Sequence, residues 1–250
     1  MSAVPHPAPA GATPSGGGAA VPVRAVARSH VGKVRTINED RVYDGTAVRC
    51  WAVADGMGGY HGGDIAAQLI VDALRTALQP PPAEPPDLVE ILQRANRTIY
   101  WNNARCGCRT GSTVVAALAA PEALHIAWAG DSRAYLARDG AVVQLTVDHS
   151  FVQELVDAGL LDPDRAGHHP QANVVTRALG IDAQASIDRL AIDLCPGDRL
   201  LLCSDGLSRT LQPAEILAHA DLDRAAARLL EQALLRDGSD NVSLVLIDVG

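Results

Sequence analysis

Residues 112–145 read STVVAALAAPEALHIAWAGDSRAYLARDGAVVQL, four short β-prone runs at 112–120, 123–129, 133–138 and 141–145 divided by Pro-Glu, Gly-Asp-Ser and Asp-Gly. Those dividers are turn formers, so the stretch predicts an antiparallel meander and breaks any strict strand-helix alternation. Toward the N-terminus, CWAVAD at 50–55 reads as a buried strand ended by Gly56, Gly58 and Gly59. Ile65, Leu69, Ile70, Ala73, Leu74 and Leu78 then recur at helical spacing over 64–78, up to the proline cluster at 80–86. A second helix is expected over about 87–103, and a short strand near 23–27 with a charged loop at 29–40 precedes these elements. Toward the C-terminus the pattern predicts a helix at 150–159, a polar loop at 162–173, a buried strand running into Asp-Gly at 199–206, helices near 213–219 and 221–236, and a closing strand at 243–249. Strands and helices come in blocks, which favours α+β.

A chain of 250 residues with 48% hydrophobic and 20% charged residues fits one globular domain and excludes disorder for most of its length. Lys and Arg number 21 against 29 Asp and Glu, a net charge of −8, so the chain lacks the basic surface that binds nucleic acid or an anionic membrane. Apolar runs such as 113–121 are too short to span a bilayer, which takes about 18–20 residues. The five cysteines form an odd set that implies no disulfide framework, and a cytoplasmic location is expected. Cys106-Gly-Cys108 is a lone pair read as ordinary thiols, and Cys203 as a core residue. Trp51 and Trp128 read as core, whereas Trp101 fits either core or surface, and His149 is expected to cap or pack locally. Residues 1–22 lack a signal peptide's basic start and apolar stretch and read as a flexible tail, with the domain at 23–250.

Four aspartates stand where packing alone would not place them: Asp55 after WAVA, Asp131 after HIAWAG, Asp205 after LLLCS, and Asp240 before NVSLVLIDV. Any one fits a turn, but several carboxylates at strand ends on one side form a cluster, and such groups are costly to bury unless paired or metal-bound. Hard oxygen donors without a zinc-spaced Cys or His set point to Mg²⁺ or Mn²⁺. A pair of such ions suits hydrolysis of phosphate esters.

The segments RTINED (35–40), ADGMGG (54–59), GST (111–113), GDSRAY (130–135), CSDGL (203–207) and SDNV (239–242) stand in the order and spacing of the PPM/PP2C metal-dependent protein phosphatases. The chain resembles that family's compact bacterial branch over about residues 23–249. The resemblance implies a four-layer α-β-β-α sandwich of two antiparallel sheets flanked by helices, with two Mn²⁺ or Mg²⁺ ions in a cleft at one end. It implies that Asp55 bridges the metals and Gly56 offers its carbonyl, with Asp205 and Asp240 on the other side of the pair. Glu39 and Asp40 act mainly through metal-bound waters, and Asp131 with Asp205 matches the carboxylates of a third, weaker ion. Arg35 is expected to grip the substrate phosphate, a task suited to a guanidinium fork. Asn241 orders the loop beside Asp240 or serves the site directly. Family members that carry a His where this chain has Met57 use it as general acid; Met57 cannot donate a proton, which leaves water or the displaced His61. His168 and His169 fall in the loop that corresponds to the family's mobile flap, where they either contact substrate or simply stand in solvent.

The implied activity is removal of phosphate from phosphoserine and phosphothreonine by in-line attack of a metal-activated water. The expected partners are phosphorylated proteins, serine/threonine kinases and their substrates among them, and the expected state is a monomer. The rival from another class is a phosphatase-like module that binds phosphoproteins without turnover; such a module would lose metal carboxylates, and here they are intact. A dinucleotide-binding reading of GMGGYHG at 56–62 fails because Asp55 would oppose a pyrophosphate. Gly130-Asp131-Ser132-Arg133-Ala134 lacks the last glycine of a nucleophile elbow.

Overall fold

The computed structural model describes residues 21–58, 62–82, 84–121 and 123–250. His61, Gly59 and most of the expected tail lie outside the described residues. Within them the strands are β1 (Val23–His30), β2 (Asp40–Gly45), β3 (Cys50–Met57), β4 (Gly111–Ser112), β5 (Val114–Ala119), β6 (Leu124–Ala129), β7 (Arg133–Arg138), β8 (Ala141–Gln144), β9 (Asp188–Ile192), β10 (Arg199–Cys203) and β11 (Val242–Val249). The α-helices are α1 (Gly63–Leu78), α2 (Leu88–Cys106), α3 (Phe151–Asp157), α4 (Pro163–Ala166), α5 (Asp205–Ser208) and α6 (Leu222–Arg236).

The expected meander is divided between two antiparallel sheets. One runs β1-β11-β10-β7-β8 and the other β2-β3-β5-β6-β9, with β4 paired to the end of β3. β5 and β6 form a hairpin in the second sheet and β7 and β8 a hairpin in the first. Gly130-Asp131-Ser132 is therefore a crossing from one sheet to its neighbour, where the sequence suggested a reversal within a single sheet. The reason is packing: both sheets are apolar on both faces, and a chain that changes sheet buries more than one that continues a single layer.

The period of two along each strand separates these faces. Cys50, Ala52 and Ala54 of β3 join the core under α1 and α2, whereas Trp51 and Val53 point between the sheets. Leu244 and Leu246 of β11 and Leu201 and Cys203 of β10 pack under α6, while Val245, Ile247, Leu200 and Leu202 meet the other sheet. The layers are helix, sheet, sheet, helix, as the resemblance implied. Trp51 and Trp128 are core, and Trp101 is exposed.

Capping fixes the helix starts. Asp87 accepts from Val89 N–H ahead of α2, Ser150 from Gln153 N–H ahead of α3, and Asp221 from Arg224 N–H ahead of α6. α2 runs to Cys106, past the expected end near 103, and stops at Gly107 in the left-handed region. That turn brings the Cys106 and Cys108 Cα atoms to 5.3 Å, and the two form a disulfide, correcting their reading as ordinary thiols. The bridge spans two residues and so restrains little unfolded chain. Two strands, β2 and β9, were not expected, and the helix near 213–219 is a 3-10 turn over Pro213–Leu217. Among the described residues no helix is long and apolar enough to cross a membrane.

Candidate metal centre

Register carries the first two carboxylates to one place. β2 pairs with β3 so that Asp40 stands opposite Asp55. Asp55 follows Trp51 and Val53 on the inner face of β3, and Asp40 shares the inner face of β2 with Val42, so both carboxylates enter the gap between the sheets. Asp40 is 2% exposed and accepts from Ser204 Oγ at 2.9 Å. Burial pushes its pKa up to about 7, against the pull of hydrogen bonds from Ser243 and Ser204. Burial, followed by the charges of Asp40, Asp205, Asp131 and Asp240, raises Asp55 well above the ordinary carboxylate range.

Close backbone approach explains the glycines. A Cβ on Gly56 would lie 2.1 Å from the Gly63 carbonyl oxygen, so the end of β3 touches the start of α1 only because neither position carries a side chain. A Cβ on Gly206 would lie 2.0 Å from the Asn241 carbonyl oxygen, which is how Asp205, at the start of α5 just after β10, comes beside Asp240, just before β11. Burial raises Asp205, and Arg209 opposes that rise.

The GST and GDS motifs meet. Thr113 N–H and Ser112 Oγ donate to the Asp55 carbonyl at 2.9 and 3.0 Å, and the Thr113 and Ser132 hydroxyls are 2.7 Å apart. These bonds tie the ends of β3 and β5 to the crossing that presents Asp131. Asp131 is 8% exposed, and burial with the neighbouring Asp205 and Asp148 charges pushes its pKa up to about 7. His149 is buried and fixes the same crossing by accepting from Gly130 N–H at 3.1 Å.

These elements surround a cleft of about 660 Å³. Of the expected site residues, Arg35, Glu39, Asp55, Gly56, Asp131, Asp205 and Asp240 line it, and Asp40 stands beside Asp55 on the neighbouring strand. Met57 also lines it. Asn241 lines it too and holds its rim: its Nδ2 donates to the Val31 and Ile37 carbonyls and its Oδ1 accepts from Glu39 N–H, stapling the loop that carries Arg35. Arg35 is exposed at the rim and donates to Asp240 Oδ2 at 2.9 Å.

The structure does not bring His168 and His169 to the cleft. His168 is exposed and His169 packs its ring against Phe151; the flap wall is made instead by Asn173 and Val175. Sequence reasoning also missed Arg209, which lies on the wall beside Asp131 and Asp205.

The donor set fits a hard divalent cation. Its groups are all oxygen, and Asp40 Oδ1 and Asp205 Oδ1 are buried without a hydrogen-bond partner. Among the described residues no three His, Cys, Asp or Glu side chains are drawn into a finished ligand set. Arginines engage two of the carboxylates, Arg209 on Asp205 and Arg35 on Asp240. Asp55, Asp205 and Asp240, with the Gly56 carbonyl, would hold a pair of such ions.

The family model described as protein phosphatase 2C matches residues 28–237. The chain is 38% identical over 240 residues to the serine/threonine protein phosphatase PstP of Mycobacterium tuberculosis, which covers 91% of this chain; the chain spans 45% of that protein's length. It is 33% identical over 236 residues to the serine/threonine phosphatase stp of Listeria innocua, covering 88% of this chain and 94% of that one. The crystal structure of the PstP catalytic domain in complex with two manganese ions superposes with a TM-score of 0.78 at 39% identity, over 91% of this chain and 98% of that one. On the strength of a match that runs from β1 to the end of α6, the chain belongs to the protein phosphatase 2C family.

Proposed function

We propose that the domain, residues 23–250, is a metal-dependent protein serine/threonine phosphatase that hydrolyses phosphoserine and phosphothreonine without a covalent intermediate. The observation that carries this reading is the convergence of buried carboxylates at the end of two facing sheets, two of them with an unpartnered buried oxygen, under an arginine at the cleft mouth. When bound, a pair of divalent ions supplies positive charge to the phosphoryl group and acidifies the attacking water. The manganese ions of the related PstP structure favour Mn²⁺ for that pair, with Mg²⁺ as the other candidate.

The chain's own residues do the rest. Asp55, Asp205 and Asp240 hold charge at the cleft floor, and Glu39 and Asp40 order water around it. Arg35, freed from Asp240, turns its fork to two phosphate oxygens. Asn173 and Val175 meet the polypeptide around the phosphorylated residue. Met57 supplies no proton, which leaves water or His61 to protonate the leaving alkoxide. A binding module without turnover has no use for buried carboxylates with free oxygens, which costs stability and gains nothing unless a cation is held. Substrates are phosphorylated proteins, serine/threonine kinases among them, met by a monomer in the cytoplasm. The test is Asp205→Asn: Mn²⁺ binding and phosphate release from a phosphothreonine peptide should fall together, and wild-type release at saturating Mn²⁺ would remove Asp205 from the centre.

A further inference from the structure

β10 ends one residue before the turn of helix α5 that presents Asp205, and Arg209 follows four residues later on the same helical face. Its Nη2 donates to Asp205 Oδ2, while Asp205 Oδ1 is buried and accepts nothing. The two oxygens of one carboxylate thus have different surroundings: one is open to a cation and the other is taken by a guanidinium. Arg209 also lines the cleft, as Asp131 does. A guanidinium stays charged at any working pH, so this counter-charge is permanent.

We propose that Arg209 is a built-in third cation of the cleft, neutralising Asp205 in the cleft that Asp131 also lines, competing with a divalent ion there and limiting the tightly held ions to two. The proposal rests on the metal-centre reading above. A guanidinium supplies charge that no chelator removes, but it does not polarise water as a metal ion does. It therefore restrains the cleft without adding a second site for water activation.

The experiment counts Mn²⁺ bound to the full chain by electron paramagnetic resonance, for wild type, Arg209→Met and Arg209→Lys. Wild type should hold two tight ions, and Arg209→Met should gain a third equivalent or tighten its weakest step by about tenfold or more. Arg209→Lys, which keeps the charge, should behave as wild type. In EDTA, Arg209→Met should melt below wild type, and Mn²⁺ should abolish the difference. Two tight ions in wild type and an unchanged isotherm in Arg209→Met would overturn the role of Arg209 and leave the metal centre standing. No binding by folded wild type would instead overturn the centre itself. Three tight ions in wild type, or a third ion gained equally by Arg209→Lys, would overturn the charge argument. Should Arg209→Met not fold by circular dichroism, Arg209→Gln puts the same question with a neutral donor.

Discussion

Replacing Asn241 with alanine tests how the loop that carries Arg35 is held. Asn241 is 6% exposed; its Nδ2 donates to the Val31 carbonyl at 2.9 Å and the Ile37 carbonyl at 3.0 Å, and its Oδ1 accepts from Glu39 N–H at 2.8 Å. Each such bond contributes about 1 kcal/mol net, so Asn241→Ala should cost about 3 kcal/mol, less where water enters to satisfy the freed groups. For a domain of this size about 1 kcal/mol moves the melting midpoint by about 2–4 °C, which gives a fall of about 6–12 °C. Thermal unfolding followed by circular dichroism, in EDTA and again in Mn²⁺, measures it. Because Arg35 and Glu39 ride on the stapled loop, KM for a phosphopeptide should rise in the same variant. A midpoint within about 2 °C of wild type would refute the reasoning, since that is less than one hydrogen bond's worth.

Metal-free stability should fall as pH rises. Asp40 and Asp131 keep their protons to about pH 7 in the fold, whereas the unfolded chain releases them near pH 4. Between those values the fold binds more protons than the unfolded chain, so their contribution is complete below about pH 4 and is lost through about pH 7. Melts in EDTA from pH 5 to 8 should show the decline and Mn²⁺ should reverse it at pH 8; a midpoint that climbs with pH in EDTA contradicts this. Gly56→Ala places a Cβ 2.1 Å from the Gly63 carbonyl oxygen and should destabilise the domain by about 1–3 kcal/mol or more, read by urea denaturation; an unchanged midpoint concentration would mean that strand and helix separate freely. Arg35→Ala should raise KM for a phosphopeptide more than it lowers kcat, since phosphate is gripped in ground and transition states alike. An unchanged KM would take Arg35 out of substrate binding.

The carboxylates were legible because each adjoins an apolar strand, and alternation alone places Asp55 on the inner face after Trp51 and Val53. What the sequence concealed has physical causes. β2 is short, and its two apolar residues, Val42 and Tyr43, serve opposite faces, so no one-sided pattern marks it. β9 lies at a sheet edge and is only half-buried along its length. Gly130-Asp131-Ser132 has the chemistry of a turn, but whether the chain returns to its own sheet or crosses to the next depends on the distant contacts of β10 and β11. Arg209 belongs to no motif; only the helical turn of α5 shows that it faces Asp205. The resemblance placed His168 and His169 in a flap that could meet substrate, yet the cleft is lined by Asn173 and Val175 beyond them.

If the buried carboxylates hold divalent metal for phosphate-ester hydrolysis, phosphate release from a phosphothreonine peptide should need both the metal and Asp55. Release is measured in millimolar Mn²⁺, in excess EDTA, and with Asp55→Asn. Of these three conditions, only wild-type protein in Mn²⁺ should release phosphate. Release that persists in EDTA or in Asp55→Asn, or none from folded wild-type protein with Mn²⁺, would contradict it.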